Sequence, residues 1–64
     1  MAEWKKEARR LAKDFYISKY EIKRIFAKVE KLYVQREMPS YYKGNRNEFL
    51  YDKAQREIMN RVYA

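Results

Sequence analysis

Apolar residues recur at helical spacing in the first quarter of the chain. Positions 4, 8, 11, 12 and 15 form an i, i+4, i+7, i+8, i+11 series, and charged residues fill most positions between them. Such a series places one apolar stripe along an amphipathic helix. The pattern predicts a first helix over residues 2–14. The stripe consists of Trp4, Ala8, Leu11, Ala12 and Phe15.

A second stripe with the same period predicts a helix over residues 19–36. Its apolar positions are Ile22, Ile25, Phe26, Val29, Leu32 and Tyr33. We expect this helix to end before Pro39, because the proline ring disfavours helical backbone at the preceding residue and proline has no N–H to donate.

The segment between the two helices has the signals of a tight corner. Ser18 and Glu21 have the S-x-x-E spacing of a capping box, in which each side chain accepts a backbone N–H of the other residue. Ile17 and Ile22 have the spacing of a hydrophobic staple across the same helix start. Two short helices joined in this way resemble a helix-turn-helix. In that motif the turn usually contains Gly with positive φ, and here Tyr16 stands at this position. Positive φ would strain an aromatic residue, so either the turn is longer or differently shaped or the resemblance is only partial.

Two predictions compete for residues 40–51. In the first, residues 40–42 and 48–51 are short strands joined by a turn that contains Gly44 and Asn45, two residue types that accept positive φ. This hairpin would be a wing. In the second, Asn47 caps a final helix that begins at Glu48. Asp52 and Gln55 form another cap pair, which favours a last helix over residues 53–62 and the wing before it.

The predicted fold is therefore mainly α with a small β-hairpin wing, a winged helix-turn-helix, and the alternative is a plain three-helix bundle. Sixty-four residues make one domain, 1–64, which buries only about 60% of the surface of the unfolded chain. With no Cys or His, apolar burial must hold this fold. The main candidates for the core are Trp4, Leu11, Phe15, Ile22, Phe26, Leu32, Leu50 and Ile58.

The formal charge of +7 is concentrated before the last helix. Residues 17–37 carry six basic and three acidic side chains, residues 38–47 carry two basic and no acidic ones, and residues 48–64 carry three of each. Such a distribution is typical of a nucleic-acid-binding surface, and it is also compatible with an ordinary solvated surface.

Composition offers little for catalysis. No His can act as a base, no Cys as a nucleophile, and no cluster of acids indicates a metal site. We expect no enzyme activity, no catalytic residue, no metal and no cofactor. The basic N-terminus precedes no apolar run, so we expect no signal peptide, no membrane association and a cytoplasmic location.

The order of helix, turn, basic helix, Tyr- and Gly-containing hairpin and last helix resembles the small winged helix-turn-helix proteins of the excisionase and MerR-like group. This resemblance implies that the second helix enters the major groove of double-stranded DNA and that the wing contacts the backbone. The DNA-binding residues that it implies are Lys19, Tyr20, Lys23, Arg24, Lys28, Lys43, Asn45 and Arg46. Further candidates for backbone contacts are Arg9, Arg10 and Lys13.

The implied function is that of a recombination directionality factor or a small transcriptional regulator of a mobile element or phage. Its partners would be duplex DNA, further copies of itself side by side on DNA, and a recombinase or other protein. The alternative is a small basic protein-interaction module that docks on a larger host or phage protein, because interfaces favour the Tyr, Trp, Met and Arg that this chain contains.

Overall fold

A computed structural model describes residues 3–63 as three α-helices and one short 3-10 turn. The helices are α1 (Glu3–Asp14), α2 (Lys19–Tyr33) and α3 (Arg46–Val62), and the 3-10 turn is Ser40–Tyr42. The first two predicted helices are confirmed, although α2 ends at Tyr33 rather than Arg36. The predicted start of the first helix at Ala2 lies outside the described residues.

The core lies where α3 packs against both other helices. α1 and α2 contact α3 more extensively than they contact each other. The buried residues are Trp4, Ala8, Ala12, Ile22, Ile25, Phe26, Val29, Phe49, Leu50, Ala54 and Ile58. Trp4 meets the edge of Phe26 at a centroid distance of 5.2 Å, which joins the N-terminal end of α1 to the middle of α2.

Three of the predicted core residues are less buried than expected. Phe15 is 39% exposed and Leu32 is 40% exposed, while Leu11 is half-buried at the margin of the core. Phe15 is the last residue before the corner, where α1 has already ended. Phe49, which the pattern assigned to a strand, is one of the largest fully buried side chains.

The predicted β-hairpin wing is wrong. Residues 3–63 contain no strand, and the three-helix alternative describes this part of the chain. Phe49 and Leu50 are both buried although they are adjacent. A half-exposed strand would turn them to opposite faces, whereas a helix packed between two partners can bury both. The Phe49 ring packs in T-shaped geometry with Tyr33 at 6.0 Å and with Tyr42 at 5.2 Å, so the end of α2 and the 3-10 turn cover it.

The residues of the predicted turn separate the 3-10 turn from α3. Lys43 and Gly44 have φ values of +51° and +82°, so a break with positive φ occurs here without a hairpin. Asn45 then caps α3, because its Oδ1 accepts the N–H of Glu48 at 3.1 Å. The predicted caps at Asn47 and Asp52 are therefore wrong, since both residues lie inside α3.

Asn47 connects the N-terminal ends of α1 and α3. Its side-chain Oδ1 accepts the backbone N–H of Trp4 at 2.9 Å, and its Nδ2 donates to Glu3 Oε2 at 3.3 Å. The first-turn amides of a helix have no partner within that helix. A side chain of α3 thus supplies a cap for α1.

Candidate nucleic-acid interface

The corner between α1 and α2 is closed by backbone hydrogen bonds. The N–H of Tyr16 donates to Lys13 O at 3.1 Å, and the N–H of Ile17 donates to Ala12 O at 3.0 Å. This pair of bonds is a Schellman motif, which requires a left-handed residue at the position of Tyr16. Tyr16 has φ +60°, so the tyrosine itself takes the left-handed position, and the expected longer or differently shaped turn is not formed. A tight corner therefore forms without glycine.

The start of α2 confirms half of the predicted capping box. Ser18 Oγ accepts the N–H of Glu21 at 3.2 Å. The Glu21 carboxylate does not complete the box by accepting the Ser18 amide; instead it accepts the Nε–H of Arg61 in α3 at 2.7 Å. The cap fixes where α2 begins, and the carboxylate ties it to α3.

The solvent-facing side of α2 is an acid-free basic surface, which we call the outer stripe. Its residues occupy positions i, i+3, i+4, i+7 and i+11 and are all exposed. The outer stripe consists of Tyr20, Lys23, Arg24, Ala27 and Lys31. Tyr20 is 69% exposed, and the Arg24 guanidinium lies 5.8 Å from the centre of its ring. Three cations and one aromatic ring thus share one face of a helix.

Both acids of α2 lie beside the outer stripe and bind cations of the neighbouring helices. Glu30 Oε1 pairs with Lys5 Nζ of α1 at 2.6 Å, and Glu21 pairs with Arg61 of α3. Arg24 approaches Glu21 only to 3.9 Å. The acids therefore neutralise other helices and leave the charge of the outer stripe largely uncompensated.

Glu21 and Arg61 belong to a chain of charges between α2 and α3. Arg61 also donates to Glu57, and Glu57 Oε1 accepts Lys28 Nζ at 3.1 Å. The hydrogen bond from Arg61 lowers the pKa of Glu21 below its usual value, against a smaller opposing effect of desolvation. The same bond raises the pKa of Arg61. Lys28, a predicted DNA-binding residue, is thus held by α3 outside the outer stripe.

A small cleft extends the basic surface from α2 to α1. It has a volume of about 160 Å³ and is lined by Arg9, Lys19, Ile22, Lys23 and Phe26. The Arg9 guanidinium lies 5.3 Å from the centre of the Phe26 ring, so Arg9 covers the core and is also a rim cation. The structure therefore brings Arg9 together with Lys19 and Lys23.

The other two predicted backbone contacts are exposed but lie elsewhere. Arg10 lines a depression with Glu7, Asp14 and Tyr51, on the side of α1 that meets α3. Lys13 is exposed in the last turn of α1, just before the corner. Arg10 is thus separated from the cleft, while Lys13 borders the corner.

The three predicted wing residues have different roles in the structure. Lys43 is exposed on the turn before α3. Asn45 caps α3, as described above. Arg46 directs Nη1 at three carbonyl groups at and just beyond the end of α2, with distances of 3.3 Å to Tyr33 O, 2.7 Å to Val34 O and 3.2 Å to Arg36 O. Asn45 and Arg46 therefore already have partners within the protein, whereas Lys43 is exposed.

Tyr42 also has a structural role. Its hydroxyl donates to Asp52 Oδ2 at 2.9 Å, and its ring packs on Phe49. The hydrogen bond to Asp52, with desolvation as a second cause, raises the pKa of Tyr42. Tyr41, at its edge, is 78% exposed. The two neighbouring tyrosines thus differ, one locked to α3 and the other in solvent.

The sequence contained signals for some of the residues that were missed. Asn45 and Glu48 have N-x-x-E spacing, a capping-box signature one turn before Phe49. Ala27 and Lys31 continue the helical spacing of Tyr20 and Lys23. The roles of Asn47 and Arg61 had no local signal, because their partners lie 43 and 40 residues away in the chain.

Across residues 3–63, the His, Cys, Asp and Glu side chains form no group of three that could hold a metal ion. None of the helices in that range is both long and apolar enough to cross a membrane. Comparisons of the chain with protein-family models, curated proteins and solved structures find no match. The geometry of the outer stripe and the cleft is therefore the basis for a functional proposal.

Proposed function

We propose that this protein binds double-stranded DNA without catalysis, with α2 in the major groove. The observation that supports it best is the outer stripe, where three cations face solvent and both acids of α2 are bound by other helices. An α-helix with its side chains is about 10–12 Å wide, which matches a major groove about 12 Å wide.

Within this proposal the residues divide between reading bases and holding phosphates. Lys23 and Arg24 lie in the centre of the outer stripe, and a guanidinium can donate two parallel hydrogen bonds to guanine. Lys19 and Arg9 border the cleft at the edge of α2, which suits contacts to the phosphates of one strand. Lys31 extends the charge toward the C-terminal end of the helix.

The biological setting follows from the resemblance, now without the wing. A short basic helix at a tight corner suits a recombination directionality factor or a small transcriptional regulator of a mobile element or phage in the cytoplasm. Either would act by occupying a site, alone or as copies side by side. A protein-interaction module is the competing function, and the following experiment separates the two.

The test measures binding to a fluorescent 20-base-pair duplex of mixed sequence by anisotropy, over a series of salt concentrations. The variant is Lys23→Ala with Arg24→Ala. Each phosphate contact contributes about −0.9 to the slope of log K against log salt. We expect the variant to bind weakly and to lose at most about 1 from the magnitude of that slope, because Arg24 is proposed to contact bases. A loss of about 2 would instead assign both cations to phosphates.

A matched control removes the same charge from other faces. Lys6 and Arg56 are exposed on α1 and α3, and neither pairs with an acid within residues 3–63. Lys6→Ala with Arg56→Ala should bind almost as the wild type does. If both double variants lost the same amount of affinity for the duplex, binding would depend on net charge alone, which would contradict the placement of α2. Absence of duplex binding even at low salt would reject DNA binding altogether, and a salt slope near zero would reject the phosphate contacts.

A further inference from the structure

Tyr16 occupies a costly backbone position without contributing to the core. Its φ of +60° lies in the left-handed region, where Gly or Asn is favoured, and its side chain is 95% exposed. An exposed ring cannot offset the strain by packing inside the protein. Residues held in such conformations are concentrated at functional sites.

From this position we propose that Tyr16 stacks on a nucleobase, so that the protein prefers duplex DNA that contains an unstacked base. The inference rests on the proposed function and adds a substrate class to it. In an intact duplex the base faces are covered by their neighbours, whereas a gap or unpaired nucleotide exposes one. Aromatic side chains bind such faces without regard to sequence.

The corner presents the ring from a fixed backbone. The N–H of Tyr16 and the N–H of Ile17 are both bonded to carbonyls of α1, at 3.1 and 3.0 Å. Ser18 then caps α2 at once, so little freedom remains between the two helices. Binding through Tyr16 therefore orders few additional bonds, which lowers the entropic cost of association.

The charges around the corner indicate an anionic partner. Lys13 and Lys19 are exposed three residues before and after Tyr16, and Tyr20 and Arg24 begin the outer stripe. The one acid of the corner, Asp14, lines the depression toward Tyr51 of α3. An apolar protein surface placed on Tyr16 would leave these ammonium groups without counter-charges. A nucleic acid supplies both a flat aromatic face and phosphates.

The test uses Tyr16→Gly, which removes the ring and relieves the backbone. Two labelled duplexes are compared, one fully paired and one with a single-nucleotide gap. We expect the melting temperature of the variant to rise by several degrees, up to about 8 °C. Its affinity for the gapped duplex should fall about 5- to 100-fold, with less than about a twofold change on the paired duplex.

Two more variants and a spectroscopic signal define the role of the ring. Tyr16→Trp keeps an aromatic face on the same backbone and should retain the preference for the gap. Tyr63→Ala removes another tyrosine, 79% exposed at the end of α3, and should change neither measurement. With 2-aminopurine opposite the gap, the wild type should quench the fluorescence and Tyr16→Gly should not.

Several results would overturn the inference. If Tyr16→Gly bound the gapped duplex as tightly as the wild type does, Tyr16 would not stack on a base. If the variant lost the same affinity for both duplexes, Tyr16 would contact the DNA backbone instead. A lower melting temperature would give the tyrosine a structural role. In each of these cases the placement of α2 is judged separately, by the Lys23 and Arg24 variant on paired DNA.

Discussion

Replacement of Arg46 by Met separates a structural arginine from a DNA contact. The sequence interpretation assigned Arg46 to a phosphate, but its Nη1 lies within hydrogen-bond distance of three carbonyl oxygens where α2 ends. The Arg46→Met variant keeps most of the aliphatic stem and removes the donors and the charge. We expect it to lose stability and to keep its affinity for DNA.

The size of the loss follows from the geometry. Two hydrogens on Nη1 serve three acceptors, and the contact with Val34 O at 2.7 Å is the shortest. A hydrogen bond from a charged group contributes about 1.5–3 kcal/mol, and a cation near a helix C-terminus about 0.3–1 kcal/mol. Water can replace the donor at these partly exposed carbonyls, so we expect the free energy of unfolding to fall by about 1–2 kcal/mol. This corresponds to a fall of roughly 4–16 °C in melting temperature.

Thermal unfolding followed by circular dichroism at 222 nm measures the change. Lys43→Met is the matched control, because it removes the same charge from an exposed residue of the same connection. Its free energy of unfolding should stay within about 0.5 kcal/mol of the wild type. Arg46→Met could instead have the melting temperature of the wild type and lose about 0.9 from the magnitude of the slope of log K against log salt. In that case the phosphate assignment is right and the reasoning from the carbonyl contacts is wrong.

Two further predictions concern the core and the charges between helices. Phe49→Ala should unfold the protein at 25 °C, because the loss of about 3–5 kcal/mol equals the stability that a core this small provides. Phe15→Ala, at an exposed position, should keep its helical circular dichroism signal. The hydrogen bond from Arg61 lowers the pKa of Glu21. The pair therefore contributes its full stability at pH values above the ordinary pKa of 4.5, and this contribution is lost as the pH falls through the lowered pKa. The melting temperature of Glu21→Gln should therefore fall less than that of the wild type between about pH 6 and pH 3. Equal falls in the two proteins would contradict this prediction.

The first two helices and the corner could be predicted because their signals are local. Apolar spacing and the Ser18 cap each act within a few residues, and the structure follows them closely, although α2 ends at Tyr33, before the limit that Pro39 sets. The positive φ of Tyr16 was not anticipated, because strain in an aromatic residue argued for a longer or differently shaped turn. Local hydrogen bonds and helical periodicity therefore determine this half of the molecule.

Residues 40–51 could not be assigned in the same way because the sequence pattern indicated caps only at Asn47 and Asp52, while it assigned Asn45 to a turn. Each of the three can start a helix, and tertiary contacts favour one of them. Asn47 is engaged by Trp4, and Asp52 accepts the Tyr42 hydroxyl, which leaves Asn45 as the cap.

The same dependence on tertiary contacts limits how far the candidate site could be predicted. Lys23 and Arg24 were implied by the family resemblance, and both are exposed in the structure. Lys28 could not be recognised as a partner of Glu57, since the two residues lie 29 positions apart. Prediction of a charged surface therefore identifies its cations more readily than it identifies which of them are already paired.

The contact of Asn47 with the Trp4 amide makes the start of one helix depend on the docking of another. A helix nucleus is costly because it fixes several residues before its hydrogen bonds form. At the beginning of α1, part of that cost is offset by the hydrogen bond from the Trp4 amide to Asn47, which lies 43 positions later in the chain. Fraying of α1 from this end therefore breaks a contact with α3. Exchange of the Trp4 amide with deuterated solvent reports the opening of that contact.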